Sequence, residues 1–502
     1  MANQEAFIKH INDGYTFKAE SILLGSAMVD GEAIADAHVK IPLKTLNRHG
    51  LIAGATGTGK TKTIQVLSEQ LSSFGIPVLM MDIKGDFSGI AKEGEEKSFI
   101  TERHTKINIP YTVSSFPVEL MSLSEQNGVR LRATVSEFGP VLFSRILDLN
   151  DTQAGVVSVI FKYCDDNKMP LLDLKDIKKV INYITEEGKE EITESYGKIS
   201  TSTTGIILRK IIELEQQGAD MFFGEMSFEI DDLMRFDENG KGYINIIRLT
   251  DIQDKPKLFS TFMLSLLAEI YQQMPEKGDA EQPELVIFID EAHLIFNEAS
   301  DALLDQIETI IKLIRSKGIG VYFVTQNPMD VPSSVLAQLG LKIQHALRAF
   351  TAKDRQAIKL TADNYPLSDY YKTEEIITNL GIGEALVTAL NEKGIPTPLA
   401  ATMLRAPMSR MDILTDSEIT EINSKSKLVR KYSEAIDRES AYEMLTKKIE
   451  SAEEQATQVE EKEAKSSEPS TASVIGKSVV KVVTSASFIR GAFGILMKIF
   501  KK

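Results

Sequence analysis

A glycine-rich segment near residue 54 has the residue types and spacing of a phosphate-binding loop. Gly54-Ala-Thr-Gly-Thr-Gly59-Lys60-Thr61 matches the pattern G-x-x-x-x-G-K-S/T in full. Its glycines let backbone N–H groups turn inward around a phosphate, its lysine reaches the β- and γ-phosphates, and its threonine hydroxyl binds Mg²⁺. The sequence therefore predicts ATP and Mg²⁺ as ligands. The predicted nucleotide-binding residues are Gly54, Ala55, Thr56, Gly57, Thr58, Gly59, Lys60, Thr61 and Lys62.

Two acids end the most apolar strand that the sequence predicts. In Leu285-Val-Ile-Phe-Ile-Asp290-Glu291, the charge stands only at the tip, where a buried strand tolerates it. We expect Asp290 to bind Mg²⁺ together with Thr61, and Glu291 to accept a proton from the attacking water or to orient it. A base directly after the metal aspartate is typical of additional-strand P-loop ATPases. The alternative is a strand followed by a solvated turn.

Other polar residues stand at the ends of further apolar segments. Gln326 ends one of them and is predicted to contact the γ-phosphate or the water, with a simple turn role as the alternative. Asp82 ends another and is followed by Lys84-Gly-Asp86, whose acids either join the Mg²⁺ network or serve as ordinary loop residues. His293 is either a catalytic group or a packing and capping residue.

The spacing of apolar residues predicts an α/β fold with a parallel sheet. A strand at 50–54, a helix at 60–74 with Ile64, Leu67 and Leu71 on one face, and a strand at 78–82 form a βαβ unit. The segment 151–235 is predicted to be mainly helical. Further predicted strands lie at 21–28, 39–43, 107–112, 129–135, 242–249, 285–290, 320–326, 341–347 and 384–390, and further helices at 257–274 and 302–316.

Composition restricts the class of protein. The 502-residue chain has a net charge of −15, which argues against a protein whose whole surface coats nucleic acid but leaves a locally basic channel open. The single cysteine, Cys164, rules out an intrachain disulfide and fits a reducing cytoplasm. The sequence holds neither a signal-peptide core nor an apolar run of about 18 residues. We expect a cytoplasmic protein.

Taken together, these segments resemble the HerA–FtsK superfamily of P-loop ATPases, and within it the bacterial YjgR-like branch with a HerA-type C-terminal ATPase core. The resemblance covers roughly residues 20–405. The lead Ile41-Pro-Leu-Lys-Thr-Leu-Asn-Arg-His-Gly50 and the segment Val324-Thr-Gln-Asn-Pro-Met-Asp-Val-Pro332 are its more specific parts. Three further matches are Asp82-Ile-Lys-Gly-Asp86, Phe288-Ile-Asp-Glu-Ala-His293 and Gln344-His-Ala-Leu-Arg-Ala-Phe350.

The resemblance implies a RecA-like core in a homo-hexameric ring, with ATP between neighbouring subunits. An arginine of the adjacent subunit would complete each site. Arg315 matches best and Arg348 is the second choice, while a surface role is the alternative for both. About 40 residues precede the lead, which is short for the β-barrel by which such proteins dock a nuclease, so a nuclease partner stays open.

The chain divides into five predicted parts. They are a short N-terminal β module (1–48), a RecA-like core (49–405) with a mainly helical insertion (about 100–240), a charged helical region (406–449), an acidic low-complexity linker (450–473) and a basic amphipathic tail (474–502). For the tail, packing against protein is favoured, and contact with a membrane surface or with nucleic-acid phosphates stays open.

Three functions compete on this sequence. We rank first a ring motor that translocates double-stranded DNA, which rests on the family resemblance. The second is an ATPase that acts on a protein partner or a membrane-associated assembly, which the acidic composition fits equally well. The third is a nucleotide switch with little turnover. Glu291 speaks against the switch, because a switch needs no base at that position.

Overall fold

A computed structural model describes residues 2–466, except residues 125, 254, 279, 298–300 and 434–437. The described strands are β1 (Ser21–Val29), β2 (Glu32–Pro42), β3 (Gly50–Ala53), β4 (Val78–Asp82), β5 (Val118–Ser122), β6 (Val129–Arg130), β7 (Ile244–Arg248), β8 (Leu285–Ile289), β9 (Ile319–Thr325), β10 (Leu341–Gln344), β11 (Glu384–Thr388) and β12 (Ala400–Leu404). The described α-helices are α1 (Ala2–Tyr15), α2 (Lys60–Ser73), α3 (Ser98–Lys106), α4 (Val135–Ile146), α5 (Asp151–Asp166), α6 (Leu174–Thr185), α7 (Lys189–Tyr196), α8 (Thr201–Gln216), α9 (Pro256–Gln273), α10 (His293–Asn297), α11 (Asp301–Ile314), α12 (Ser333–Leu336), α13 (Ala352–Asp363), α14 (Thr373–Asn379), α15 (Asp416–Lys425), α16 (Lys427–Ser433) and α17 (Ala441–Ser466).

The twelve strands form one sheet in the order β2-β1-β12-β11-β10-β3-β9-β8-β4-β7-β5-β6. All neighbours from β10 to β6 run parallel, whereas β2, β1, β12, β11 and β10 pair antiparallel. The predicted α/β fold with a parallel core is confirmed. Strand β9 lies between β3 and β8, so the additional-strand arrangement is confirmed too. The antiparallel extension was not predicted.

The central strands are buried along their whole length. Every residue of β3, β8 and β9 is buried, as expected for parallel strands covered on both faces. Helix α2 contributes Ile64, Leu67 and Leu71 to the core on one side of the sheet. The three residues that predicted the apolar face of this helix are therefore the ones that hold it in place.

The chain separates into two compact units. The first comprises Met1–Leu131 and Phe228–Glu434 and contains the whole sheet; the second comprises Arg132–Ser227 and Ala435–Lys502. Within the second unit, α6 packs against α8 and α17. The buried carboxylate of Asp176 on α6 accepts hydrogen bonds from the Ser440 hydroxyl at 2.5 Å and from the Tyr442 N–H at 2.9 Å. The predicted boundaries at 48, 405 and 449 stay predictions.

Two local predictions were wrong, and the description of the N-terminal β module was incomplete. Residues 107–112 form no strand, because Ile107 closes the last turn of α3 and Asn108 has a φ of 51°. Residues 1–48 contain the predicted strands and also a helix, α1, and the strands join the main sheet. Residues 450–466, predicted as a linker, continue α17, since their many Ala, Glu, Gln and Lys residues are strong helix formers.

The helices give no sign of a membrane span. None of those that the structure describes combines the length and the apolar character needed to cross a bilayer. The predicted tail at 474–502 lies outside the described residues. The cytoplasmic location and the role of the tail stay predictions.

His49, the last residue of the Leu-Asn-Arg-His part of the lead, forms two hydrogen bonds that hold the start of β3 in place. Its Nε2 donates to the carbonyl of Ile311 at 2.8 Å, and its Nδ1 accepts from the N–H of Val321 at 3.0 Å. The side chain is buried and its φ is 56°. The bond that Nδ1 accepts requires the neutral imidazole, and burial lowers the pKa of His49 to about 4, which keeps the ring neutral near pH 7.

Lowering the pH from 7 to 5 is expected to reduce the unfolding free energy of the wild type by about 2 kcal/mol more than that of His49→Gln. The unfolded chain protonates this imidazole near its ordinary pKa of 6.5, whereas the folded chain keeps it neutral until about pH 4. Its stabilisation is therefore full above pH 6.5 and is lost as the pH falls. Urea unfolding of both proteins at both pH values is the measurement. Equal pH effects would contradict the prediction.

Candidate active site

The phosphate-binding loop connects β3 to α2 and has a backbone that only glycine accommodates at key positions. Gly54, Gly57 and Gly59 have φ values of 153°, 77° and 115°. A Cβ atom on Gly54 would lie 2.5 Å from the Cβ of His345, and one on Gly59 would lie 3.1 Å from the backbone nitrogen of Gly383. The absence of a Cβ atom at Gly54 and Gly59 thus allows close packing against neighbouring segments, and phosphate binding by the loop stays a prediction.

Hydrogen bonds from neighbouring segments hold the loop. The Gly54 N–H donates to the carbonyl of Thr325 at the end of β9, and the Ala55 N–H donates to the carbonyl of Ala346 beyond β10, at 3.3 and 2.8 Å. The Thr58 carbonyl accepts from the Gly383 N–H at 3.0 Å. The carboxyl edge of the parallel sheet therefore fixes the loop from several sides.

The side chain of Lys60, the first residue of α2, folds back over the loop. Its ammonium donates to the carbonyl oxygens of Gly54 at 2.6 Å and Ala55 at 3.2 Å. Burial lowers the pKa of Lys60, and the nearby Lys84 lowers it further, while the acids of the site act in the opposite direction. The ammonium is thus held over the backbone of the loop, and its role at the phosphates stays a prediction.

The two predicted acids follow β8 directly. Asp290 and Glu291 are both buried, and Glu291 has a φ of 48°, a conformation rare for a residue with a side chain. Burial raises the pKa of Asp290 to about 7, with the charge of Glu291 adding to the effect. Two buried carboxylates side by side need cationic partners, and a metal ion is such a partner.

Two side chains contact the carboxylate of Glu291, and a third lies close to it. Its Oε1 forms an ion pair with Lys84, its Oε2 lies 3.1 Å from Nδ1 of His293, and Gln326 is near enough to lower its pKa. Burial alone would raise the pKa of Glu291, but the hydrogen bond and charge of Lys84 outweigh burial and the pKa is lowered. Glu291 is therefore ionised and oriented, and Gln326 and His293 both lie beside it.

The segment after β4 contributes to the same edge of the sheet. The Thr61 hydroxyl donates to Oδ2 of Asp86 at 3.1 Å, and Oδ1 of Asp86 is buried with no hydrogen-bond partner among the described residues. The carboxylate of Asp82 instead accepts from the N–H groups of Gly85, Asp86 and Phe87 at 2.7, 3.2 and 3.3 Å. Asp86 thus faces the site, and Asp82 shapes the turn that presents it.

Mg²⁺ fits the oxygen groups that meet here. The Thr61 hydroxyl and the carboxylates of Asp86 and Asp290 are hard donors of the kind that Mg²⁺ prefers. Oδ1 of Asp86 has no hydrogen-bond partner among the described residues, and burial together with the charge of Glu291 makes the ionised form of Asp290 unfavourable unless a cation lies beside it. The predicted metal residues, Thr61 and Asp290, thus have a third oxygen donor near them in Asp86.

Sequence reasoning missed Lys84 as a partner of Glu291. The feature of the sequence that could have indicated this role is the position of Lys84 between Asp82 and Asp86, in a turn that follows a buried strand. A lysine in a loop is usually a solvated residue, and its partner lies far away in the chain. Only the parallel pairing of β4 with β8 brings Lys84 and Glu291 to one edge.

The two predicted arginines lie in different places. Arg315 precedes β9, at the edge of the sheet opposite to the loop, so its own chain does not bring it to the site. Arg348 follows β10 at the carboxyl edge and donates to the carbonyls of Thr378 at 2.8 Å and Leu380 at 3.5 Å. Both roles stay predictions.

Comparison with known families agrees with this geometry. The family model described as Helicase HerA-like C-terminal matches residues 28–491. The chain belongs to this family. It is 21% identical over 381 residues to a DNA double-strand break repair helicase HerA of Sulfolobus acidocaldarius, covering 75% of this chain and 69% of that protein. It is 25% identical over 370 residues to the HerA helicase of Sulfurisphaera tokodaii, covering 70% of this chain and 64% of that protein.

Solved structures support the fold. The unbound bacterial conjugative coupling protein TrwB superimposes with a TM-score of 0.52 at 15% identity, covering 81% of this chain and 94% of that one. TrwB in complex with ADP and Mg²⁺ superimposes with a TM-score of 0.51 at 15% identity, covering 78% and 97%. Together, the family and the fold identify the HerA-like chain as a P-loop ATPase of the HerA–FtsK type.

Gly54→Ala is expected to destabilise the HerA-like core by about 1–3 kcal/mol more than Gly57→Ala. Both positions have positive φ, so both variants are strained. Only the Cβ at position 54 also meets a neighbour, His345 at 2.5 Å, whereas nothing lies within 4 Å at position 57. Urea unfolding without nucleotide is the measurement. Equal destabilisation would show that the contact with His345 is unimportant.

Proposed function

We propose that the protein hydrolyses ATP to ADP and phosphate with Mg²⁺ at this site. The observation that carries the proposal is the Glu291 carboxylate. It is ionised, follows Asp290 directly, is paired with Lys84 and lies beside His293 and Gln326 at the edge of the sheet that carries the phosphate-binding loop. A nucleotide-binding switch does not need an oriented base at this place.

The proposed reaction assigns separate roles to Glu291, Lys60, Gln326 and the residues that would hold Mg²⁺. Glu291 accepts a proton from water as the water oxygen attacks the γ-phosphorus, and the bond from that phosphorus to the β–γ bridging oxygen breaks, which leaves ADP and phosphate. Lys60 neutralises charge on the β- and γ-phosphates. Mg²⁺, held by Thr61 and Asp290, would add electrostatic stabilisation of the same phosphates. Gln326 positions Glu291 or the water.

We further propose that hydrolysis drives movement of a homo-oligomeric ring along double-stranded DNA. The support is family membership and the likeness to relatives that are named DNA repair helicases, over about two thirds of their length. The alternative is an ATPase that acts on a protein partner, which the acidic balance of the chain, with a net charge of −15 and a pI of about 5.1, fits equally well.

Steady-state ATP hydrolysis with and without double-stranded DNA tests both parts. Lys60→Ala and Glu291→Gln are expected to lower kcat at least about a hundredfold, because each removes a group that stabilises or assists the transition state. Glu291→Gln should still bind ATP. DNA should stimulate the wild type, and the stimulation should weaken with added salt.

Two exposed residues provide matched controls for these variants. Lys353→Ala and Glu374→Gln make the same changes on the surface of α13 and α14 and should leave hydrolysis unchanged. Wild-type activity in Glu291→Gln would overturn the assignment of the base. Hydrolysis that depends on Lys60 and Glu291 but ignores DNA would preserve the site and favour the protein-directed function.

Mixing variants tests whether neighbouring subunits share a site. Arg315→Ala and Glu291→Gln should each be inactive, and a mixture should regain part of the activity, because some sites then combine an intact Glu291 with an intact Arg315 from the next subunit. This expectation rests on the position of Arg315 at the opposite edge of its own sheet. The same experiment with Arg348→Ala examines the second choice. If the mixture shows no activity, the arginine that was replaced does not complete the site of a neighbouring subunit.

A further inference from the structure

A tight turn at residues 381–384 lies directly against the phosphate-binding loop. It precedes β11, which pairs antiparallel with β10, so the start of β11 lies at the carboxyl end of β10. The Gly383 N–H donates to the Thr58 carbonyl at 3.0 Å, and the position of a Cβ on Gly59 would be 3.3 Å from the Cα of Gly383. Two glycines therefore face each other, which allows the turn to approach the loop closely.

The turn is held in one conformation. Arg103 donates to the carbonyls of Gly383 at 3.0 Å and Ile382 at 2.8 Å, and the Gly383 carbonyl also accepts from the Leu404 N–H at 3.0 Å. The carboxylate of Glu384 accepts from the Gly381 N–H at 2.7 Å. These bonds fix the backbone of the turn before any ligand arrives, which lowers the entropic cost of binding one.

The turn displays an apolar side chain to solvent. The side chain of Ile382 is 73% exposed, although hydrogen bonds hold the backbone of the turn around it. Single exposed apolar residues are common and usually need no explanation. Ile382 differs from such residues because it stands next to the residue that bonds to Thr58, on a fixed backbone, at the edge where the phosphates are proposed to bind.

The order of strands decides which part of ATP lies near Ile382. The loop follows β3, and the acids proposed to act at the γ-phosphate follow β8, on the β9 side of β3. We take the β-phosphate of ATP to occupy the loop and the γ-phosphate to point toward β8. The nucleoside then extends in the opposite direction, away from β8. That direction leads over β10 toward β11, where the turn lies.

We propose that Ile382 contacts the nucleoside of ATP and that the turn at 381–384 forms one wall of the nucleoside subsite. An aliphatic side chain packs against the apolar face of a nucleobase, as is usual in ligand sites. The inference rests on the proposed ATP site and adds the residue that distinguishes a nucleotide from bare phosphates. Arg103 acts here as a positioning residue, since it touches the turn and not the ligand.

Binding of MgATP and of magnesium tripolyphosphate, each measured by competition against a fluorescent ATP analogue, tests the proposal. Ile382→Ala is expected to raise the Kd of MgATP about tenfold, the effect of losing a partial apolar contact. The Kd of tripolyphosphate should stay within twofold, because that probe has no nucleoside. Ile382→Val should stay close to wild type. Ile395→Ala, which truncates an isoleucine that is 55% exposed elsewhere, is the matched control and should change neither Kd.

The outcomes separate this inference from the proposed function. If wild type binds MgATP and Ile382→Ala binds it equally well, the nucleoside contact is wrong while the ATP site stands. Equal weakening of both probes would show that Ile382 acts on the loop and would also overturn the contact. A changed sedimentation coefficient of Ile382→Ala with unchanged MgATP binding would assign the side chain to contact with a second copy instead. Failure of wild type to bind MgATP would overturn the proposed function itself.

Discussion

The phosphate-binding loop depends on backbone contacts that neighbouring segments make at the carboxyl edge of the sheet. Gly54 donates to a carbonyl at the end of β9, Ala55 donates to one beyond β10, and Thr58 accepts from the turn before β11. These bonds join main-chain atoms and depend on glycine at positions 54 and 59, where a Cβ atom would meet the neighbouring segments. They require the parallel register of β10, β3 and β9, and a shift in that register would move the loop, the acids and the supporting turn apart.

A second constraint is the charge collected at this edge. Asp86, Asp290 and Glu291 lie near one another in a largely buried region, and the charge of Lys84 lowers the pKa of both Asp290 and Glu291. Burying such charges is costly unless they are paired. Lys84 pairs with Glu291, which leaves Asp86 and Asp290 as the groups that a metal ion would neutralise. The arrangement separates the proposed base from the proposed metal ligands.

Helix α2 links the site to the C-terminal part of its compact unit. The buried Glu69 accepts from the N–H groups of Met408 and Ser409 at 2.8 and 2.9 Å, and burial raises its pKa despite these bonds. Gln65, one turn earlier, donates to the Ser409 hydroxyl at 2.7 Å. One face of the helix that follows the phosphate-binding loop thus holds the segment after β12. This contact gives α2 a fixed orientation from which the loop extends.

The sequence by itself determined the parts of the site that consist of contiguous residues. The loop at 54–61, the pair Asp290-Glu291 and the βαβ unit follow from local spacing, because each is a strand or helix boundary with a fixed pattern. Only the tertiary structure decided that Lys84 pairs with Glu291, that Asp86 and not Asp82 faces Thr61, and that the turn at 381–384 supports the loop. The physical reason is that these contacts join residues far apart in the chain, and the order and register of the strands, which no local pattern specifies, bring them together.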